Sequence, residues 1–72
     1  MIEIQVTKEP IELYKLLKLA NLVESGGDAK LAIAEGEVLF NGVVETQKRK
    51  KILIGDLVEY LGETITIKLK ER

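Results

Sequence analysis

The sequence predicts an α+β fold: a two-helix αα-hairpin packed on a small, mostly antiparallel sheet, with an extra N-terminal strand. Three observations carry that expectation. Apolar residues recur at helical spacing from Leu13 to Ala20 and again from Ala29 to Ile33. An Asn41-Gly42 pair separates two short apolar runs, and apolar and polar residues alternate at both ends of the chain.

Ile2, Ile4 and Val6 alternate with Glu3 and Gln5, the period of a half-buried strand, and Thr7 and Pro10 punctuate its end. The period then changes. Leu13, Leu16, Leu17 and Ala20 fall at i, i+3, i+4 and i+7 and line one helical face, with Lys15 and Lys18 opposite. A proline suits the first turn of a helix, so this helix is expected to start at Pro10. Asn21-Leu22-Val23-Glu24 interrupts it. Ser25 to Asp28 reads as a capping box opening a second helix, with Ala29, Ala32 and Ile33 facing the core and Gly36 as the left-handed stop. The small alanines let the two helices approach closely. Leu31 and Ala34 point away from that face, toward the sheet or toward a partner.

Strands follow. Val38-Leu39-Phe40 runs into Asn41-Gly42 and returns through Val43-Val44-Glu45, a hairpin whose type I′ turn needs positive φ at both central residues. Gln47 to Lys51 forms a basic loop before a strand at Ile52-Leu53-Ile54. Gly55-Asp56 makes the next turn, Leu57 to Tyr60 the next strand, and Gly62-Glu63 the last turn. In the closing strand Ile65, Ile67 and Leu69 face inward, and Thr66, Lys68, Lys70 and Arg72 face outward.

Composition narrows the function. With 72 residues, 46% of them hydrophobic and 32% charged, and a net charge of −1, the chain has room for one small domain, residues 1–72, that folds unaided. It contains neither cysteine nor histidine. Disulfides, thiolate nucleophiles, cysteine zinc sites and the usual general base are therefore missing, and the twelve acidic residues form no paired-carboxylate motif and read as solvated surface. The expectation is a protein that is not an enzyme and needs no cofactor or metal. No apolar run approaches the ~20 residues of a membrane span, and Met1 to Gln5 lacks the features of a signal peptide. A cytoplasmic protein with no membrane partner is expected.

Charge is informative once divided. Residues 1–36 carry four basic and six acidic groups and residues 37–72 carry seven and six, so neither half binds nucleic acid through its overall field. The local exception is Lys48, Arg49, Lys50 and Lys51. Four adjacent cations repel one another, are tolerated on a solvated loop, and become favourable opposite phosphates. The second helix start is the other candidate, because Gly26-Gly27 leaves its free amides open to a phosphate, although Asp28 already occupies that field. Lys30 offsets Asp28 by reaching outward. Lys15 and Lys18 on the first helix form a weaker candidate pair, and three aromatic residues are too few for a base-stacking platform.

The run from Leu13 through Leu16-Leu17, Leu22, Ser25 to Lys30 and Glu35 to Gly42 resembles the small RNA-binding module named after ribosomal protein S4. The resemblance spans about Leu13 to Asp56, and Lys50-Lys51 with Gly55-Asp56 look like the small stand-alone bacterial members of that family. It implies the αL arrangement, in which structured RNA is held across the two helices and the loop after the hairpin. Carried over by position, Ser25, Gly26, Gly27 and Lys30 line the helical part of that surface, Asn41 and Gly42 its hairpin edge, and Lys48, Arg49, Lys50 and Lys51 its basic loop. Lysines neutralise phosphates, amides of the second helix orient them, and RNA shape is read more than sequence.

The chain departs from the family at Glu12, where larger members carry arginine, at Tyr14, where an acidic residue is common, and at Gly26-Gly27, where basic residues are common. The helical half is thus less cationic than usual, and the loop at Lys48 supplies more of the attraction. The implied partner is ribosomal or transfer RNA, met alone or within a ribonucleoprotein particle by a monomer acting in translation or ribosome assembly. Two other readings compete. The strand, helix and hairpin also look like a β-grasp sulfur carrier, but the ending Leu69-Lys70-Glu71-Arg72 lacks the reactive Gly-Gly tail. The other is a protein-interaction module, β-grasp-like or S4-like, that uses Leu31 and makes no RNA contact.

Overall fold

A computed structural model describes residues 1–70; Arg72, assigned above to the outer face of the last strand, lies outside the described residues. Nine elements follow in order: β1 (Ile2–Val6), β2 (Ile11–Glu12), α1 (Leu13–Leu19), α2 (Gly26–Ala34), β3 (Leu39–Phe40), β4 (Val43–Val44), β5 (Lys51–Ile52), β6 (Val58–Tyr60) and β7 (Glu63–Leu69). The main sheet has the order β1-β7-β6-β3-β4, and β2 and β5 form a second, two-stranded ladder. Among the described residues only β1 and β7 run parallel, with Ile2 opposite Ile65 and Val6 opposite Leu69; the other ladders are antiparallel. The α+β expectation holds.

The core lies between the helix pair and the sheet. Leu13, Leu16 and Leu17 of α1 meet Ala29, Ala32 and Ile33 of α2 over Val38, Ile52, Val58 and Ile65, all buried. Each large aliphatic side chain removed from water there contributes about 1.5–3 kcal/mol. Among the described residues no polar or charged residue is buried, so this core carries no desolvated charge.

Both helices end in the same way. Asn21, at φ 61°, follows α1, its N–H donating to the Lys18 carbonyl while the Leu22 N–H reaches that of Leu17. Gly36, at φ 77°, follows α2, with Gly36 donating to Ile33 and Glu37 to Ala32. This paired pattern of hydrogen bonds is the Schellman stop. The glycine stop at position 36 is as expected, and the interruption at Asn21 is a second such stop, because asparagine is the other residue that tolerates a left-handed backbone.

Several boundaries differ from expectation, each for a local reason. Helix α1 starts at Leu13, not Pro10, because Ile11 and Glu12 are drawn into the ladder with Ile52 and Lys51 and stay extended. The strand expected at Ile52-Leu53-Ile54 shrinks to Lys51–Ile52, since the Asp56 carboxylate accepts the Leu53 N–H and the Glu9 carboxylate accepts the Ile54 N–H, bending the chain. The last turn is Leu61-Gly62, with φ 53° and 78°, one residue earlier than expected, and Glu63 belongs to β7. Leu69 is exposed at the end of β7, where Val6 is its ladder partner. Leu31 and Ala34 face solvent, not the sheet.

Candidate nucleic-acid interface

The basic segment is anchored through its backbone. The carbonyls of Lys50 and Lys48 accept the N–H groups of Leu13 and Tyr14, at 2.9 and 3.0 Å. These are first-turn donors that a helix leaves without an internal partner, and Glu12, the residue before α1, makes no side-chain cap. The loop therefore caps the helix. With its carbonyls turned to α1, the loop keeps Lys48 and Arg49 exposed, and the Arg49 guanidinium reaches Glu12 beside the helix start. Lys51 is not in the loop but in β5, opposite Glu12. Lys50 is half-buried, its ammonium 5.0 Å from the Phe40 ring centroid, so one of the four cations is committed to packing.

Glu12 is half-buried rather than freely solvated. Its carboxylate meets Lys15 Nζ at 3.2 Å and an Arg49 guanidinium nitrogen at 3.7 Å. One carboxylate thus gathers a cation from α1 and another from the loop. Both basic side chains are more than half exposed, so these pairs orient the charges and add only about 0.2–1 kcal/mol each.

Tyr14 performs the same service between the helices. Lys30 of α2 sets its ammonium 4.9 Å from the ring centroid, and Lys15 sits at 5.8 Å. The ring also lies against Gly26, where an added Cβ would come 3.9 Å from Tyr14 Cδ2. A continuous chain of contacts therefore runs from Gly26 and Lys30 through Tyr14, Lys15 and Glu12 to Arg49. Composition gave no hint of Glu12 and Tyr14 as organisers. The usable signal was their position, flanking Leu13 at two of the sites where the chain departs from the family.

At the start of α2, Ser25 Oγ accepts the Asp28 N–H at 3.1 Å. That is half of the expected capping box; among the described residues the return bond from Asp28 is absent, its side chain being a methylene shorter than the glutamate of a full box. Gly27 is exposed beside Ser25. The hairpin residues have a different employment. Asn41 and Gly42 take φ 49° and 86°, as a type I′ turn requires. Asn41 Nδ2 donates to Asp56 Oδ1 at 3.2 Å and its Oδ1 accepts the Leu57 N–H at 2.8 Å, so this amide ties the hairpin to the Gly55-Asp56 turn. Lys15, Gly26, Lys30 and Arg49 are brought together; Asn41 is occupied within the fold.

Comparison with known proteins identifies the family. A family model described as S4 domain matches residues 4–68. YbcJ of Escherichia coli (strain K12) is 49% identical over 57 residues, covering 79% of this chain and 81% of that protein. "Probable ribosome maturation protein RlbA" of Bacillus subtilis (strain 168) is 41% identical over 59 residues, covering 82% and 83%. The solution structure of E. coli YbcJ, reported to reveal an alfaL motif involved in RNA-binding, superposes with a TM-score of 0.69 at 46% identity over 93% of this chain and 86% of that one. With the helix pair, the sheet and most of the chain matched, this protein belongs to the S4 domain family.

Proposed function

We propose that this chain, as one S4-like domain over residues 1–72, binds structured ribosomal or transfer RNA in the cytoplasm, as a monomer without catalytic activity, and serves ribosome maturation. The observation that carries this reading is the docking of the basic segment on α1. Through it Arg49 joins a continuous chain of contacts with Lys15 and Lys30, cations from three separate segments. The RNA-binding reported for YbcJ and the ribosome-maturation name of RlbA support the assignment. Surface cations gathered from three segments suit phosphates that follow a folded RNA, and the exposed Gly27 at the start of α2 suits a further phosphate.

Salt dependence tests the role of the segment. If Lys48, Arg49 and Lys51, the cations of the segment not committed to packing, each meet one phosphate, they contribute about −2 to the slope of log affinity for an RNA hairpin against log salt, at roughly −0.7 per contact. Replacing Lys48, Arg49 and Lys51 together by glutamine should flatten that slope by about 2. Lys50 is kept because it packs on Phe40. Amide spectra of the variant should remain those of the folded protein, since all three side chains are exposed. An unchanged slope removes the segment from the interface. Absence of any RNA binding at low salt favours the protein-interaction reading through the exposed Leu31 face.

A further inference from the structure

We infer that a groove beside α1 receives one unpaired nucleobase of the bound RNA, stacked on Tyr14. The inference rests on the RNA-binding reading and deepens it by naming a subsite. The groove, of about 510 Å³, is lined by Ile11, Tyr14, Lys15, Lys18 and Leu19. Its walls are apolar and aromatic, and its charged groups are both cationic. A second hollow, of about 370 Å³, continues from it under the β1–β2 connection, sharing Ile11, Lys15 and Leu19 and adding Lys8 and Pro10. Leu19 is 56% exposed, an apolar helix residue that the core leaves unused.

The chemistry of the groove selects its occupant. An apolar slot beside an aromatic ring suits a flat π-system, and lysines at its rim suit the phosphate joined to that base. Glu12, the one acidic residue bordering the second hollow, is already paired with Lys15 and Arg49. The groove is also continuous with the cationic surface, because Tyr14 and Lys15 belong to both. A ring already in contact with Gly26 and Lys30 of α2 is positioned before a base arrives, which lowers the ordering cost of stacking. A paired base cannot enter, whereas a bulged one, splayed out of the helix, can. The subsite therefore distinguishes an irregular RNA helix from a regular one.

Two RNA duplexes test this, identical except for one bulged adenosine, with affinity followed by fluorescence anisotropy. The intact protein should bind the bulged duplex roughly tenfold more tightly, the size of one base stack. Tyr14→Leu should lose that preference, read as the ratio of the two affinities so that any common loss from the Lys15 and Lys30 contacts cancels, and Tyr14→Phe should retain it. Leu19→Glu, at an exposed position, should abolish the preference by setting a carboxylate in the groove, with no demand on the core. Equal binding of the two duplexes by the intact protein overturns the subsite and leaves the RNA reading standing, as does a preference that survives both Tyr14→Leu and Leu19→Glu. No binding to either duplex overturns the RNA reading itself, and the subsite with it.

Discussion

Glu12 shows how one side chain sets the character of the surface around it. By holding Lys15 and Arg49 it orients two cations and also neutralises part of their charge. Glu12→Gln should therefore tighten RNA binding at low salt, with a change in stability under about 1 kcal/mol because both pairs are exposed to screening. Anisotropy titrations at two salt concentrations check the first statement and urea unfolding the second. Leu61 carries a different burden: at φ 53° and 70% exposed, it holds a left-handed backbone without gaining burial. Leu61→Asn should stabilise the protein by roughly 1 kcal/mol, seen as a rise of about 4–8 °C in Tm. That leucine also explains why the last turn was misplaced by one residue. Turn reading looks for glycine, asparagine and aspartate, and Leu61 is none of these.

At the scale of elements, the legible features are those whose partners lie close in sequence. Ser25 caps α2 three residues on, Gly36 stops the same helix, and Asn41-Gly42 turns the hairpin they connect. The start of α1 was not legible, because its caps are the Lys48 and Lys50 carbonyls, supplied from across the fold. The same reason hid β2, a two-residue strand that exists only because Lys51–Ile52 pairs with it. Carboxylates divided likewise: most are the solvated surface expected, but Asp56 and Glu9 accept loop N–H groups and so decide where β5 ends. The residue types of the candidate site were legible through the family pattern, while their grouping around Tyr14 and Glu12 required the packing of α1 on α2. Asn41 tests the reading of the hairpin. Asn41→Ala removes both bonds to the Gly55-Asp56 turn and should cost about 1–3 kcal/mol, with the Leu57 amide exchanging faster in hydrogen exchange.

For the whole molecule, size decides how much damage is tolerated. A domain this small has about 3–5 kcal/mol in hand. Ile65 is fully buried in β7 between its neighbours β1 and β6. Ile65→Ala should cost about 2–5 kcal/mol, enough to leave much of the protein unfolded at 37 °C by circular dichroism. The parallel pairing of β1 with β7 has a kinetic meaning. Ile2 and Ile65 meet only after nearly the whole chain has been arranged between them, so the loop this contact closes is the most costly in entropy and its rate is set by topology rather than by strand length. During synthesis β1 leaves the ribosome first, yet it must wait, with one edge unpaired and Ile2, Ile4 and Val6 uncovered, until β7 has followed.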